Sequence, residues 1–457
     1  MPSVKTLGAA ALLALNQASA LKCEGSCLKS HSKYDSPKMY GNMEKKRLRW
    51  KAEEEAGLIG NTASSGAAQC VNGFAGEYAC SGIDLLSFVS LADLNCHGNG
   101  NDIWGWTDES GNEYVVAGCT DASSLVDVTD PLNPVVMGYI PTQTVPSSWR
   151  DMKVHRGVVY IGSEAPNHGM QVFDLHQLSA ASAAYRANPV KNNNVTTNGH
   201  VNLGVKYEPD MVYTEFGSSH NIVINEASGF LYAVGTKTCS GGLHMVDIRD
   251  PANPEFVGCY ADDGYTHDSE CVIYSGPDTR FTDHEICFNY NEDTLTIVDV
   301  THKDEIRMLS RYGYVGSEYT HQGWLNPEQS HLMLDDELDE QEYAPLQGHT
   351  RTMIWDVSLL DQPKLTGNFY SEETAIDHNQ YIHKGLSWQS NYCAGLRVLD
   401  ASNLPSGTTK EVAYFDCAPE CDTADFSGTW SNYPYFESGT IAMQSIEKGL
   451  FLVKSSM

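Results

Sequence analysis

The stretch His244-Met-Val-Asp247-Ile-Arg249 shows the pattern that decides the fold, a short apolar run that ends in an aspartate and a polar turn. Five more runs of this kind end at Asp127, Asp174, Asp299, Asp356 and Asp400. Successive aspartates lie 47, 73, 52, 57 and 44 residues apart, and a degenerate seventh run ends 54 residues after the last of them. An aspartate at a strand end accepts hydrogen bonds from backbone N–H groups of the next turn, so we interpret the six as structural caps.

A second repeated element, polar and aromatic, precedes each run. Together with the apolar strands between them, the two elements define units of about 45–55 residues, the length of a four-stranded propeller blade. The sequence therefore predicts an all-β fold, a seven-bladed β-propeller with six blades as the alternative. The copies of the polar element are Asn101-Asp-Ile-Trp104, Trp149-Arg-Asp151, Ser219-His-Asn221, Thr266-His-Asp268, Thr320-His-Gln322, Asp377-His-Asn379 and Gly428-Thr-Trp430.

The last unit, residues 428–454, supplies only three strands. The apolar run at residues 83–91 is expected to supply the fourth, so that the last blade is closed by an N-terminal strand and has no open edge. We therefore predict a single propeller domain over residues 83–454, preceded by an irregular, cysteine-containing segment at residues 21–82. Within that segment residues 43–57 could form one charged helix, although its basic residues precede its acidic ones, which opposes the helix dipole.

Residues 1–20 have the pattern of a secretory signal peptide. Lys5 is followed by a short apolar run at residues 7–15 and by the small-x-small pattern Ala18-Ser-Ala20. The apolar run is too short to span a bilayer. We expect cleavage after Ala20 and a secreted, extracellular protein with no membrane span. The sequon Asn194-Val-Thr196 predicts an N-glycan at Asn194.

All 13 cysteines follow the predicted cleavage point, and no two of them are spaced as C-x-x-C. In an oxidising compartment this composition favours disulfides over zinc knuckles. Cys271 and Cys287 flank a predicted hairpin and are expected to pair. The odd total leaves at least one cysteine free or in an intermolecular bond.

The charge balance restricts the classes of partner. The 457 residues include 29 Lys+Arg against 59 Asp+Glu, a formal net charge of −30. Nucleic-acid binding and electrostatic binding to anionic membranes both need clustered basic side chains. The charge balance therefore argues against both kinds of partner. The expected partner is an extracellular ligand, a polysaccharide or a protein.

The aspartate-terminated runs resemble the repeats named for their Leu-Val-Ile-Val-Asp consensus, and longer segments resemble secreted proteins of the choice-of-anchor B family. The resemblance covers about residues 70–454 and implies a secreted β-propeller without implying a particular activity. It rests on Asn101-Asp-Ile-Trp-Gly-Trp106, Ser148-Trp-Arg-Asp-Met-Lys-Val154, His168-Gly-Met-Gln-Val-Phe-Asp174, Ser219-His-Asn-Ile-Val-Ile-Asn225, Gly264-Tyr-Thr-His-Asp268, Thr320-His-Gln-Gly-Trp324, Leu334-Asp-Asp-Glu-Leu-Asp-Glu340 and Asp377-His-Asn379.

Four histidines are the first candidates for chemistry. The innermost strand of each blade lines the central channel, so the leading residues of these strands are expected to cluster at one mouth. His220, His267, His321 and His378 would converge there, with Arg150, Asp151, Asp102, Asn221, Asp268 and Asp377 nearby. Such histidines bind a divalent cation or act as acid and base near neutral pH. Alternatively, they hydrogen-bond around channel water and lock neighbouring blades together.

The run Leu334-Asp-Asp-Glu-Leu-Asp-Glu340 is the second candidate, because closely spaced carboxylates can chelate calcium. It lacks the glycine and the ligand spacing of an EF-hand, and acidic runs are often solvated loops. The possible ligands of calcium or another divalent cation are Asp335, Asp336, Glu337, Asp339 and Asp268.

No phosphate-binding loop, dinucleotide fingerprint, nucleophile elbow or H-E-x-x-H motif is found in the sequence. The function predicted from the repeats is a binding or scaffold module with a polar channel mouth lined by histidine and aspartate. The alternative is a metal-assisted hydrolase or lyase at that mouth. A third hypothesis is a purely structural matrix protein. Whether the protein is an enzyme stays open at this point.

Overall fold

The computed structural model describes residues 20–22, 37–189 and 200–456. They form seven sheets in a ring, each built on four antiparallel strands. Innermost strands of neighbouring blades pack against one another, and that of the last blade, Thr429–Tyr433, packs against that of the first, Gly100–Thr107. The predicted seven-bladed β-propeller is therefore confirmed, and the six-bladed alternative is wrong.

The blades follow one another along the chain, and we number them 1 to 7, with strands given from the channel outward. Blade 1 comprises Gly100–Thr107, Glu113–Cys119, Ala122–Asp127 and Val135–Pro141. Blade 2 comprises Arg150–His155, Val158–Ser163, Met170–Asp174 and Met211–Tyr213. Blade 3 comprises Asn221–Asn225, Phe230–Val234, Leu243–Asp247 and Glu255–Tyr260. Blade 4 comprises Asp268–Ile273, Glu285–Tyr290, Leu295–Asp299 and Arg307–Tyr314.

The remaining blades repeat this order. Blade 5 comprises Thr320–Leu325, His331–Asp336, His349–Asp356 and Lys364–Thr374. Blade 6 comprises Asn379–His383, Leu386–Ser390, Leu396–Asp400 and Glu411–Phe415. Blade 7 comprises Thr429–Tyr433, Thr440–Ser445, Gly449–Ser455 and the strand from the other end of the chain, Ile83–Ser90.

Blade 7 is closed as the sequence predicts. Ile83–Ser90 pairs antiparallel with Gly449–Ser455, with Phe88 opposite Phe451. The two rings stack with their centroids 4.4 Å apart. Both phenylalanines are fully buried, so this closure joins the two ends of the chain through apolar packing as well as through the sheet hydrogen bonds.

Several shorter elements decorate the ring. Three helices are labelled α1 (Pro37–Glu55), α2 (His176–Ala187) and α3 (Asp339–Glu342). Additional strands extend the outer edges of blades 1, 4 and 6, namely Val201–Lys206, Ala20–Lys22 and Tyr78–Ser81 with its partner Phe74–Ala75. Short 3₁₀ turns lie at Cys239–Gly241, Thr279–Phe281, Ala344–Leu346 and Leu404–Ser406. Within the described ranges no helix is long and apolar enough to cross a membrane.

The six repeated aspartates have the predicted structural role. Asp299, for example, ends the third strand of blade 4, and its Oδ1 accepts a hydrogen bond of 3.0 Å from the backbone N–H of Thr301. The same bond, to the N–H two residues later, occurs at Asp127, Asp174, Asp247, Asp356 and Asp400. These carboxylates cap the turn between the third and fourth strands and lie away from the channel.

Five disulfides lie within the described ranges. The predicted Cys271–Cys287 pair is confirmed and links the first two strands of blade 4. Cys417 is a free thiol in the part of the chain that the structure describes, and burial raises its pKa to about 12. The other pairs are Cys70–Cys80, Cys96–Cys119, Cys239–Cys259 and Cys393–Cys421.

The N-terminal segment is less irregular than predicted. The helix considered for residues 43–57 is present as α1, which begins six residues earlier and has 19 residues. Several of its basic residues pair with carboxylates outside the helix, with Lys38 Nζ 3.0 Å from Glu318 Oε2 and Lys45 Nζ 2.9 Å from Glu342 Oε1. Tertiary contacts thus outweigh the unfavourable dipole order. The predicted signal peptide, except Ala20, and the predicted glycan at Asn194 lie outside the described residues.

Candidate functional site

The channel has two chemically different mouths. The leading residues of the innermost strands surround one end, which we call the histidine mouth after His220, His267, His321 and His378. Residues further along the same strands surround the other end, which we call the aromatic mouth. Its rings are Trp104, Trp324, Tyr381, Tyr433 and Tyr435.

The structure brings the four candidate histidines together in the predicted order. His220 and His267 share a hydrogen bond of 2.8 Å between their Nε2 atoms. The ring centroids of His267 and His321 are 4.0 Å apart, and those of His321 and His378 are 4.4 Å apart. Burial lowers the pKa of His267 and His321 well below the ordinary value and lowers the pKa of His378 to about 4. These three imidazoles are therefore neutral near pH 7, the form that binds metal ions.

Glu337 reaches the same mouth from the end of the second strand of blade 5. Its Oε1 is 3.6 Å from His378 Nε2, and its Oε2 is 3.9 Å from His321 Nε2. The hydroxyl of Tyr392 donates to Oε1 at 2.6 Å. His321, Glu337 and His378 are, among the described residues, the one group of three potential metal ligands whose ligand atoms lie within 4.8 Å of one another.

The other carboxylates of the acidic run do not join this group. Asp335 accepts hydrogen bonds from Gln322 and Gln380, and Asp336 accepts one from Tyr314. Asp339 pairs with Arg351 Nε at 2.8 Å. All of these carboxylates are buried, so the run is not a solvated loop. Neighbouring side chains point to opposite faces along the strand, and the chain then turns into α3. The carboxylates therefore contact different partners, and the run does not form one calcium site.

The helix α1 closes the histidine mouth. The ammonium of Lys46 pairs with Glu337, and both side chains are buried. Trp50 lies 5.4 Å from Trp149 and 5.6 Å from Trp430 between ring centroids, and its Nε1 donates to the carbonyl of Phe426 at 2.8 Å. The cavity left beneath the helix measures about 20 Å³, space for about one water molecule. No pattern in the sequence links Lys46 to the channel, so this contact was missed.

Arg150 and Asp151 serve the junctions between blades. Arg150 Nε donates to the carbonyl of Cys119 at 3.1 Å. Asp151 accepts a hydrogen bond of 2.6 Å from Lys153, whose ammonium is also 3.2 Å from Asp102 Oδ2 and 4.6 Å from the centroid of the Trp104 ring. Lys153 borders the cavities at both mouths, so this charged group divides the channel.

The aromatic mouth opens into a cavity of about 610 Å³. Tyr381 packs edge-to-face against Trp104 and Trp324, at centroid distances of 5.6 and 4.9 Å. Two carboxyl groups line the same cavity, and burial raises the pKa of Asp268 to about 7 and that of Glu270 to about 8. Asp268, predicted as a possible metal ligand, lines the cavities at both mouths, and among the described residues it does not belong to the group of closely placed potential ligands.

Sequence reasoning missed the aromatic mouth, although a signal was present. Trp104, Trp324 and Tyr381 each follow a polar channel residue by two positions, at Asp102, Gln322 and Asn379. Side chains two apart on a strand share a face, so the polar element predicts that these rings also face the channel.

Comparisons with known proteins bear on the fold alone. No family model matches the chain, and no curated protein matches it. The β-propeller domain of Cps50 (Swd1) from Myceliophteria thermophila is 11% identical with a TM-score of 0.47, and the match covers 77% of this chain and 96% of that one. A periplasmic gluconolactonase of Pseudomonas aeruginosa is 11% identical with a TM-score of 0.46, over 68% of this chain and 87% of that one. A functionally unknown protein from Desulfotomaculum acetoxidans is 12% identical with a TM-score of 0.45, over 71% of this chain and 87% of that one.

Proposed function

We propose that the protein is a secreted binding module that takes a neutral saccharide of a few sugar units at the aromatic mouth. The observation that carries the proposal is the open cavity of about 610 Å³ in which aromatic rings and polar groups converge. A concave site of this size with few, placed polar groups is the usual form of a small-molecule binding site.

The lining matches the two kinds of surface that a sugar presents. The rings of Trp324 and Tyr435 offer apolar faces for the C–H side of a pyranose. Glu270 and Asp268, whose raised pKa values leave them partly protonated near neutral pH, can both donate to and accept from hydroxyl groups. A polyanionic glycan is disfavoured by the net charge of −30.

Secretion and membership of the choice-of-anchor B family are part of the same proposal. The repeated motifs support the family, and the signal-peptide pattern of residues 1–20 supports export. Disulfides such as Cys271–Cys287 and Cys70–Cys80 are compatible with an oxidising compartment.

A metal-assisted hydrolase or lyase at the histidine mouth is the second candidate function. The grouping of His321, Glu337 and His378 favours it. The coverage of this mouth by α1 weighs against it, because a substrate would first have to displace Lys46 and Trp50 from buried positions.

The test is a binding screen with the full-length secreted protein against neutral oligosaccharides, followed by calorimetry on any ligand found. Trp324→Ala is expected to weaken binding at least tenfold, because it removes a stacking face from the cavity. Phe74→Ala is the matched control, since Phe74 is an exposed aromatic residue on an outer strand. Equal affinity of the two variants, or no binding by any saccharide in the screen, would reject the proposal.

A further inference from the structure

The histidine mouth presents three ligand atoms on rigid elements. His321 lies in the innermost strand of blade 5, Glu337 follows the second strand of that blade, and His378 immediately precedes the innermost strand of blade 6. Tetrahedral zinc with bonds of about 2.1 Å separates its ligand atoms by about 3.4 Å. Oε1 of Glu337 lies 3.6 Å from His378 Nε2, and Oε2 lies 3.9 Å from His321 Nε2. One ligand atom from each of the three residues lies within 4.8 Å of the others, so a contraction of up to about 1.4 Å would complete a two-histidine, one-carboxylate set.

The tautomer of His378 gives independent support. Its Nδ1 is 2.6 Å from the carbonyl oxygen of Trp430, which can only accept, so Nδ1 carries the proton. In the neutral ring Nε2 then presents a lone pair, and this lone pair faces the carboxylate of Glu337. A cation between the two would turn this repulsive contact into two bonds. A backbone carbonyl that receives the second N–H is also a usual partner of a metal-bound histidine.

His321 has an unused polar atom at the same place. Its side chain is buried, and its Nδ1 makes no hydrogen bond to any described residue, since the nearest carboxylate oxygen, Oδ1 of Asp335, is 3.5 Å away. When Nε2 binds a metal ion, the Nδ1 proton of a histidine is commonly donated to a carboxylate. Asp335 is placed to receive it.

Lys46 supplies the positive charge at Glu337 in the structure. Its ammonium is enclosed by aromatic rings, at 5.1 Å from the centroid of Phe426 and 5.9 Å from that of Trp430. Asn42, one helical turn earlier on α1, donates to the second oxygen of Glu337 at 3.0 Å. Two cations cannot share one buried carboxylate without strong repulsion.

We propose that His321, Glu337 and His378 form a binding site for a divalent transition-metal ion of the zinc type, and that Lys46 of α1 takes the place of the ion while the helix is docked. Binding of the ion and docking of α1 then exclude each other. The inference concerns the mouth opposite the saccharide site. Its test measures zinc binding, so its failure can be distinguished from a failure of the proposed saccharide binding.

The first experiment measures zinc binding to the full-length protein by equilibrium dialysis. Lys46→Ala is expected to bind one zinc ion per chain at least tenfold more tightly than the wild type, and His378→Ala added to it is expected to abolish the gain. Lys45→Ala is the matched control, because the neighbouring lysine is exposed and pairs with the exposed Glu342. Should Lys46→Ala fail to fold even with zinc, Lys46→Gln, which keeps a donor to Glu337, replaces it.

The second experiment adds zinc to the wild type and follows limited trypsin cleavage of α1 after Arg47 and Arg49. Saturating zinc is expected to speed cleavage there at least fivefold, with no such change in Glu337→Gln. A folded Lys46 variant that binds no zinc overturns the metal site. Zinc bound equally tightly by the wild type and the Lys46 variant, with the cleavage rate unchanged, overturns the competition with the helix.

Discussion

Lys46 and Glu337 form a buried ion pair although 291 residues of chain separate them. Removal of one partner of such a pair leaves an uncompensated charge in the interior, which costs about 3–5 kcal/mol. We therefore expect Glu337→Gln to lower the free energy of unfolding by an amount of this order, and Glu337→Gln with Lys46→Met to recover part of the loss. Denaturant titration of the single and double variants measures both effects. Additive losses in the double variant would contradict the pairing.

Trp50 is the apolar anchor of α1, since it is buried between Trp149 and Trp430. We expect Trp50→Ala to cost about 3–5 kcal/mol of docking free energy, as truncation of buried aromatic side chains usually does. The expected readout is faster proteolysis within α1 while the circular dichroism of the propeller sheets is unchanged. Leu48→Ala, on the 61% exposed side chain of the same helix, is the control and should cleave like the wild type.

Glu270 should make the protein less stable as the pH rises. Burial raises the pKa of this carboxyl group to about 8 in the folded protein, above the value of about 4.3 in an unfolded chain. The folded state therefore binds the proton more tightly, and the stabilisation that this brings is complete below about pH 4 and lost as the pH rises through 8.

The measurable consequence is a difference between two pH profiles of the free energy of unfolding. Between pH 4 and 8 the wild type should lose on the order of 4 kcal/mol more than Glu270→Gln. Glu437→Gln, which changes a carboxyl group that is 84% exposed, should follow the wild-type profile. Parallel profiles for the wild type and Glu270→Gln would contradict the prediction, because they would show that Glu270 has the same pKa in the folded and unfolded protein.

Cys417 should be inert in the folded protein. The thiol is buried, its pKa is raised to about 12, and the thiolate is the reactive form. We expect the peptide that contains Cys417 to remain unlabelled by iodoacetamide at pH 8 and to be labelled fully after denaturation, as measured by mass spectrometry. Labelling of the native protein within minutes would mean that the interior of this region opens readily.

The ring of blades was predictable because each blade repeats the same local pattern. The caps at Asp127 and Asp299 mark strand ends without reference to the rest of the chain. The gathering of His220, His267, His321 and His378 followed from one geometric rule, that leading residues of innermost strands share a mouth. Both inferences use short-range periodicity, which a single sequence displays.

Contacts between distant segments were not predictable in this way. Nothing local to Lys46 indicates that it meets Glu337. The spacing of the acidic run likewise does not show which way each carboxylate points, so a calcium site and a solvated loop both agreed with its sequence. The aromatic mouth lies between these cases. Trp104 already lies within the polar element, and Tyr381 follows the end of its copy, Asn379, by two residues. Alternation along their strands could therefore have assigned both rings to the channel.

The closure of blade 7 imposes an order on folding. The strand Ile83–Ser90 is made early, but its partner, Gly449–Ser455, is among the last described residues to leave the ribosome. The seat of α1 includes Phe426 and Trp430, which belong to that same late region. Helix α1 is synthesised before every blade but can dock fully only after the last blade has folded. A chain that ends before residue 449 can therefore neither close the ring nor complete the docking site of α1.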